Sequence, residues 1–198
     1  MHTIGLLALQ GDYLKHGERF SRLGTPVVKV RTPGDLRNVD GLVFPGGEST
    51  TIGKLLMLSG LHEAIKYRVQ SGMPVFATCA GLILLAKKII DFDQVSLGLL
   101  DVDVERNAYG RQIESFETDF RSETFGEPPI RGVFIRAPRI TRLGKSVEVL
   151  AVYEDVPVLV RQNNILAGSF HPELTDDLRI QSYFLSMFPD GKGDYKQD

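Results

Sequence analysis

Cysteine is nearly missing from this sequence: Cys79 is the only one in 198 residues. A single thiol excludes an intrachain disulfide framework and any zinc site built on paired cysteines, and it fits a reducing compartment. Net charge is nearly absent too, with 23 Lys and Arg against 25 Asp and Glu for a formal −2. Without a positive excess there is no footprint for general nucleic-acid binding or for attachment to an anionic membrane surface. Long apolar runs are also lacking. The longest, residues 80–86 with Ile89 and Ile90 beyond it, is cut by Lys87 and Lys88, far short of the roughly 20 residues that span a bilayer. No basic segment precedes the apolar residues 4–9 and no small-residue cleavage site follows them, so no targeting peptide is expected and the chain reads as cytoplasmic. Internal repeats and low-complexity segments are not found.

What is present suffices for a core: 42% of the residues are hydrophobic, which excludes intrinsic disorder. The length predicts one domain over residues 1–190, followed by a polar, glycine-containing tail at 191–198 that is expected to fray. In the first half, short apolar runs alternate with helical patterns. Strands are expected at residues 4–9, 27–30, 41–44 and 74–78, with helices near 16–23, 51–59, 61–71 and 80–90. Near-continuous apolar strands separated by helices indicate a parallel sheet covered on both faces. The second half predicts closely spaced strands at 97–105, 115–120, 133–136, 147–153, 158–162 and 165–170, then a last helix over 175–188. The fold class is therefore α/β: a doubly wound, flavodoxin-like three-layer sandwich whose parallel core is extended by antiparallel or mixed strands.

Three segments carry candidate chemistry. Cys79 stands where a strand meets a helix, inside Ala77-Thr78-Cys79-Ala80-Gly81, the layout of a nucleophile elbow with small residues two before and two after. A thiol at a helix N-terminus gains thiolate character, and the next amide can face an oxyanion; a buried structural cysteine is the alternative. Of the four histidines, His2 lies near the chain start, and His16 and His62 sit in polar helical contexts expected to be exposed. His171 instead follows an apolar strand and opens His171-Pro172-Glu173. There a carboxylate two residues on suits a base and its orienting partner, and Pro172 holds His171 extended. The third segment, Pro45-Gly46-Gly47-Glu48-Ser49-Thr50-Thr51, fails the phosphate-loop pattern because Glu48 stands where its first glycine belongs and Leu55 where Ser or Thr belongs. It reads either as an oxyanion and substrate loop or as a glycine turn in which Ser49 or Thr50 caps the next helix. All three segments follow strands of the core sheet, and ligands of open α/β sheets bind outside those carboxyl ends, so convergence is expected.

These segments resemble the oxyanion strand, elbow and His-x-Glu of triad (class I) glutamine amidotransferases. Leu9-Gln10-Gly11-Asp12, residues 104–112, Ser115-Phe116-Glu117 and Phe134-Ile135-Arg136-Ala137-Pro138 narrow the resemblance to the glutaminase subunits of two-protein pyridoxal 5′-phosphate synthases, over nearly the whole chain. The resemblance implies that Cys79 attacks the carboxamide of glutamine, His171 shuttles protons and Glu173 orients His171, with the amides of Gly47 and Ala80 as the oxyanion hole. It places Gly47, Glu48, Ser49, Arg106, Ile135 and Arg136 against glutamine. For Arg106 and Arg136 the alternative is a surface ion pair, with Glu105 or Asp103 in the case of Arg106. It further implies that ammonia passes to a (β/α)8-barrel synthase in a hetero-oligomeric complex and that Gln10 lies on the docking side; glycine's small steric preference makes the Gly46–Gly47 peptide the element expected to be reset by docking. No cofactor and no metal ion are expected. The glutaminase of imidazole glycerol phosphate synthase and a non-catalytic flavodoxin-like binding module are the competing readings.

Overall fold

The computed structural model describes residues 2–90, 92–106 and 115–189. Its main sheet has seven strands. Four of them, β1 (Ile4–Leu7), β3 (Gly41–Phe44), β4 (Val75–Thr78) and β12 (Ile165–Gly168), are buried along their whole length. Such strands need apolar residues at every position because both faces of the sheet are covered, which is why they read as unbroken apolar runs. With β2 (Val27–Val30), β10 (Glu148–Tyr153) and β11 (Val156–Gln162) the order is β10-β11-β12-β4-β3-β1-β2. From β2 to β12 every pairing is parallel; β11 and β10 add to the far side antiparallel. The parallel part runs 2-1-3-4-12, the flavodoxin-like winding whose direction reverses between β1 and β3.

Helices cover both faces. Helices α3 (Ser49–Leu58), α4 (Leu61–Gln70) and α5 (Ala80–Leu85) bury Ile52, Leu56, Ile65 and Leu84 on one side. Opposite, α1 (Tyr13–Arg22) and α6 (Arg179–Ser186) pack Phe20 and Phe184 against Phe76 of the sheet. The short α2 (Pro33–Leu36), not anticipated from the pattern, starts at a capping box in which Thr32 and Asp35 satisfy each other's backbone amides. Among the described residues there are two small sheets besides: β5 (Ala86–Ile90), β6 (Leu100–Glu105) and β9 (Arg139–Leu143) form one, and β7 (Ser115–Phe120) pairs with β8 (Ile130–Ile135) in the other.

The α/β expectation holds, with local corrections. The helix expected over 80–90 ends at Leu85, and Ala86–Ile90 is strand β5, paired in parallel with β6. A short apolar run does not distinguish a buried helix from a strand, and here the available partner β6 decides. Strand β9 was hidden by its arginines. Its Arg142 lies 2.8 Å from both Asp101 and Asp103 of β6, so the charged pattern is the cross-strand pairing itself. The last helix begins at Arg179, because a 3-10 turn over Pro172–Leu174 and the Asp177 side chain, accepting from the Arg179 amide at 3.0 Å, occupy the preceding residues. The tail at 191–198 and residues 107–112 of the resembling segment lie outside the described residues.

Candidate active site

The register of the parallel sheet sets the site. Thr78 of β4 pairs with Gly168 of β12, and the Cys79 amide donates to the Gly168 carbonyl at 2.9 Å, so the two strands end side by side. Cys79 then turns sharply into α5 with φ 48° and ψ −104°, a left-handed conformation that costs a non-glycine residue energy and that the packing around it must hold. Small neighbours are required there. A Cβ on Gly81 would stand 2.6 Å from the Phe44 carbonyl oxygen, so the elbow lies directly against the end of β3. Cys79 is 6% exposed, and its Sγ lies 3.6 Å from the carbonyl oxygen of Ile135 at the end of β8.

His171 leaves β12 three residues beyond Gly168, and its amide donates to the Val133 carbonyl at 2.8 Å, which moors the segment to β8. Its Nδ1 is 2.7 Å from Oε1 of Glu173, itself completely buried. Burial works to lower the His171 pKa, but hydrogen bonding to Cys79 and Glu173 and the charge of both outweigh it and push the value up to about 10. For Glu173 burial works upward, yet the nearby His16 and the bond from His171 hold its carboxyl below the ordinary value. Thiol, imidazole and carboxylate therefore stand in the order that an activated thiol requires.

The loop after β3 forms the opposite wall. Gly46 has no room for a side chain, since a Cβ would sit 2.2 Å from His171 Cε1. The Gly46 carbonyl accepts from the Asp12 amide at 3.1 Å; because a trans peptide points its N–H opposite its carbonyl, the Gly47 N–H faces away from Asp12. Gln10 Oε1 accepts from the Glu48 amide at 2.8 Å, linking the loop after β1 to the loop after β3 across the point where the sheet reverses. Glu48, and not Ser49 or Thr50, is the cap of α3. Burial opposes its ionisation, but the hydroxyls and amides of Thr50 and Thr51 outweigh that and hold its pKa at about 2.

One cleft of about 240 Å³ is lined by Gln10, Gly47, Glu48, Ser49, Cys79, Ala80, Arg106, Ile135, Arg136 and His171 together with Asp12 and Ile83. Every residue singled out from sequence for catalysis or binding faces this space except Glu173, which stands behind His171. Arg106 does not pair with Glu105 or Asp103. Its guanidinium lies 3.6 Å from Glu48 Oε1, donates to Gln94 Oε1 at 2.9 Å and stacks 4.0 Å above the Phe92 ring. Arg136, the residue after β8, has φ 43° and is exposed at the cleft. Among the described residues no cluster of three or more His, Cys, Asp or Glu side chains is arranged to hold a metal ion, and no helix is long and apolar enough to cross a membrane.

Sequence reasoning missed two residues. Gln94 bridges Ser49 and Arg106, accepting from Ser49 Oγ at 3.0 Å, and nothing local marks it. His16, expected exposed, is completely buried 3.5 Å from Glu173 Oε1; its spacing from Phe20 along the buried face of α1 was the available signal. His62 is also mostly covered, with Nδ1 2.7 Å from Glu63 Oε1.

The chain resembles known proteins over most of its length. Residues 6–190 match the model of the SNO glutamine amidotransferase family. The chain is 54% identical over 184 residues to the pyridoxal 5′-phosphate synthase subunit PdxT of Thermotoga maritima, covering 93% of this chain and 98% of that one. It is 50% identical over 182 residues to the protein of the same name from Carboxydothermus hydrogenoformans, covering 92% and 95%. A crystal structure of a glutamine amidotransferase superposes with a TM-score of 0.89 at 52% identity, covering 93% of this chain and 97% of the other. PurLQS from Thermotoga maritima shares the fold at 14% identity, with a TM-score of 0.67 over 94% of this chain and 99% of that one.

Proposed function

The chain belongs to the SNO glutamine amidotransferase family, and from that premise we propose that it is the glutaminase subunit of a pyridoxal 5′-phosphate synthase, hydrolysing L-glutamine and handing the ammonia to a (β/α)8-barrel synthase subunit. The observation that carries the reading is the buried series Cys79, His171 and Glu173 at the floor of the cleft. Cys79 Sγ attacks the side-chain amide carbon of glutamine. The proton that His171 holds leaves with ammonia as the glutamyl thioester forms; water, deprotonated by the now neutral His171, then cleaves the thioester to glutamate and frees the Cys79 sulfur. The N–H groups of Gly47 and Ala80 are assigned to the oxyanion, each such donor contributing about a hundredfold or more to turnover. Glutamine is a zwitterion, and Arg106 beside the ionised Glu48 supplies both charges to receive its α-carboxylate and α-ammonium. Ser49, Ile135 and Arg136 complete the substrate wall, and Gln10 stands on the docking side. No cofactor is assigned. The activity is carried by residues 1–190 as one domain, and the location is the cytoplasm.

The names of the relatives favour this reading over the glutaminase of imidazole glycerol phosphate synthase. A non-catalytic module of the same fold would have no need for a strained cysteine aligned with a buried His–Glu pair. The test is a glutaminase assay on the wild type and on Cys79→Ala, each with and without the synthase subunit. The wild type with synthase should release ammonia stoichiometrically with glutamate, and Cys79→Ala should fall by about a thousandfold or more. Equal rates for the two chains would overturn the assignment.

A further inference from the structure

Helix α1 sends two side chains to the same residue of the His-Pro-Glu segment. Arg19 Nε donates to the Glu173 backbone carbonyl at 3.0 Å, and His16 Nε2 lies 3.5 Å from Glu173 Oε1. Their three-residue spacing puts both on one helix face. His16 Nε2 is also 3.1 Å from Oγ1 of Thr78, the residue before Cys79, and its ring meets Phe76 edge-on at 5.7 Å between centroids. Among the described residues its other nitrogen, Nδ1, has no hydrogen-bond partner, and neither has Oε2 of Glu173. That asymmetry assigns the tautomer. A proton on Nδ1 would be a buried donor with no acceptor, and it would turn the Nε2 lone pair toward a carboxylate; a proton on Nε2 avoids both penalties. The ring is neutral, since burial lowers its pKa more than the Glu173 charge raises it.

We propose that His16 is a positioning residue of the catalytic series, a neutral imidazole that donates from Nε2 between Thr78 Oγ1 and Glu173 Oε1, holding the carboxylate against His171 and fastening helix α1 to the elbow strand. This rests on the glutaminase reading and adds to it a fourth side chain that touches neither substrate nor reacting atoms. Glu173 requires such a partner because it is completely buried and uses only Oε1, which takes the bond from His171 Nδ1 at 2.7 Å and faces His16. The other charged or titratable groups around this carboxylate are His171 on its own segment, Cys79 beyond His171, Arg19 at the backbone carbonyl, and Asp12 at the start of α1. A neutral donor supports the anion without introducing a second cation that would compete with His171. Without it, burial is less opposed and the Glu173 pKa rises. A carboxylate held low functions above its pKa and fails as pH falls through it, so raising that pKa moves the acid limb of reactivity to higher pH.

The test compares His16→Gln, which restores an N–H donor, with His16→Met, similar in volume and lacking one; His16→Phe supplies the donor-free state if the Met variant does not fold. Two readouts are taken: glutamine kinetics with the synthase present, and the pH dependence of Cys79 alkylation by iodoacetamide on the full chain alone. The donor-free variant should lose about tenfold in kcat with little change in KM, and its alkylation profile should move about one pH unit upward on the acid side. The Gln variant should recover most of both. Wild-type kcat and an unmoved alkylation profile in the donor-free variant would overturn the proposal, as would equal losses in the Gln and donor-free variants. Alkylation needs neither glutamine nor synthase, so a wild type without glutaminase activity would refute the functional reading alone. A donor-free variant as active as a functioning wild type would refute only the role of His16.

Discussion

His171 concentrates the chemistry of the site in one titration. Its pKa stands at about 10 in the folded chain because Cys79 and Glu173 outweigh its burial, whereas in an unfolded chain a histidine titrates near about 6.5. The stability linked to this proton is therefore fully present below about pH 6.5 and is lost as pH rises through about 10. Thermal unfolding of the wild type and of His171→Gln, compared between pH 6.5 and 10, should show the wild-type Tm declining relative to the variant across that window; parallel curves would mean that the proton is not held. Cys79, His171 and Glu173 were legible in sequence because each occupies a junction, strand to helix or strand to turn, where residue type and spacing constrain the backbone. His16 was not. Lys15 and Glu18 beside it are exposed and paired with each other at 3.0 Å, so the local composition reads as a solvated helix face while the imidazole points inward.

Between elements, close approach governs the elbow. Helix α5 starts so near β3 that a Cβ on Gly81 meets the backbone oxygen of Phe44 at 2.6 Å, and backbone cannot rotate away as a side chain end can. Gly81→Ala should therefore cost about 1–3 kcal/mol in urea unfolding and lower glutaminase turnover by displacing Cys79; an unchanged urea midpoint would show that the contact is slack. The same scale explains the loop after β3. Glu48 caps α3 through the amides of Thr50 and Thr51 at 3.2 and 2.7 Å, so the carboxylate offered to the cleft is also the group that ends the loop and starts the helix. Helix geometry thus fixes this wall of the cleft, while Arg106, held by Gln94 from the small-sheet region, lines it further.

In the whole molecule, the carboxyl ends of β1, β3, β4 and β12 gather Gln10, Gly47, Cys79 and His171 around one cleft, at the reversal of the sheet winding and beside it. Helix α1 begins at the loop that touches Gly46 through Asp12 and ends in arginines that hold Glu173 and Asp176, so one rigid element contacts both the loop after β3 and the carboxylate end of the site. A partner docked on the Gln10 side would press on both at once. Glutaminase turnover should accordingly rise by about tenfold or more when the synthase subunit is added; equal turnover in its presence and absence would rule out coupling through this helix.

The sequence by itself determined the α/β class and the parallel core strands, and it singled out Cys79, His171 and Glu173 as candidate nucleophile, base and orienting carboxylate. These follow from unbroken apolar runs and from residue types at strand ends, both of which are local. It left open whether Arg106 joins a surface ion pair or the cleft, and it misread two places, taking residues 86–90 as helix and His16 as exposed. Tertiary structure decided all three, because each depends on which partner the fold brings near: Glu48 and Gln94 for Arg106, β6 for residues 86–90, and Glu173, distant in sequence, for His16. Burial then changed what those groups are. The lone cysteine, which in composition only excluded disulfides and paired zinc ligands, acquired its neighbours when β4 and β12 were laid side by side.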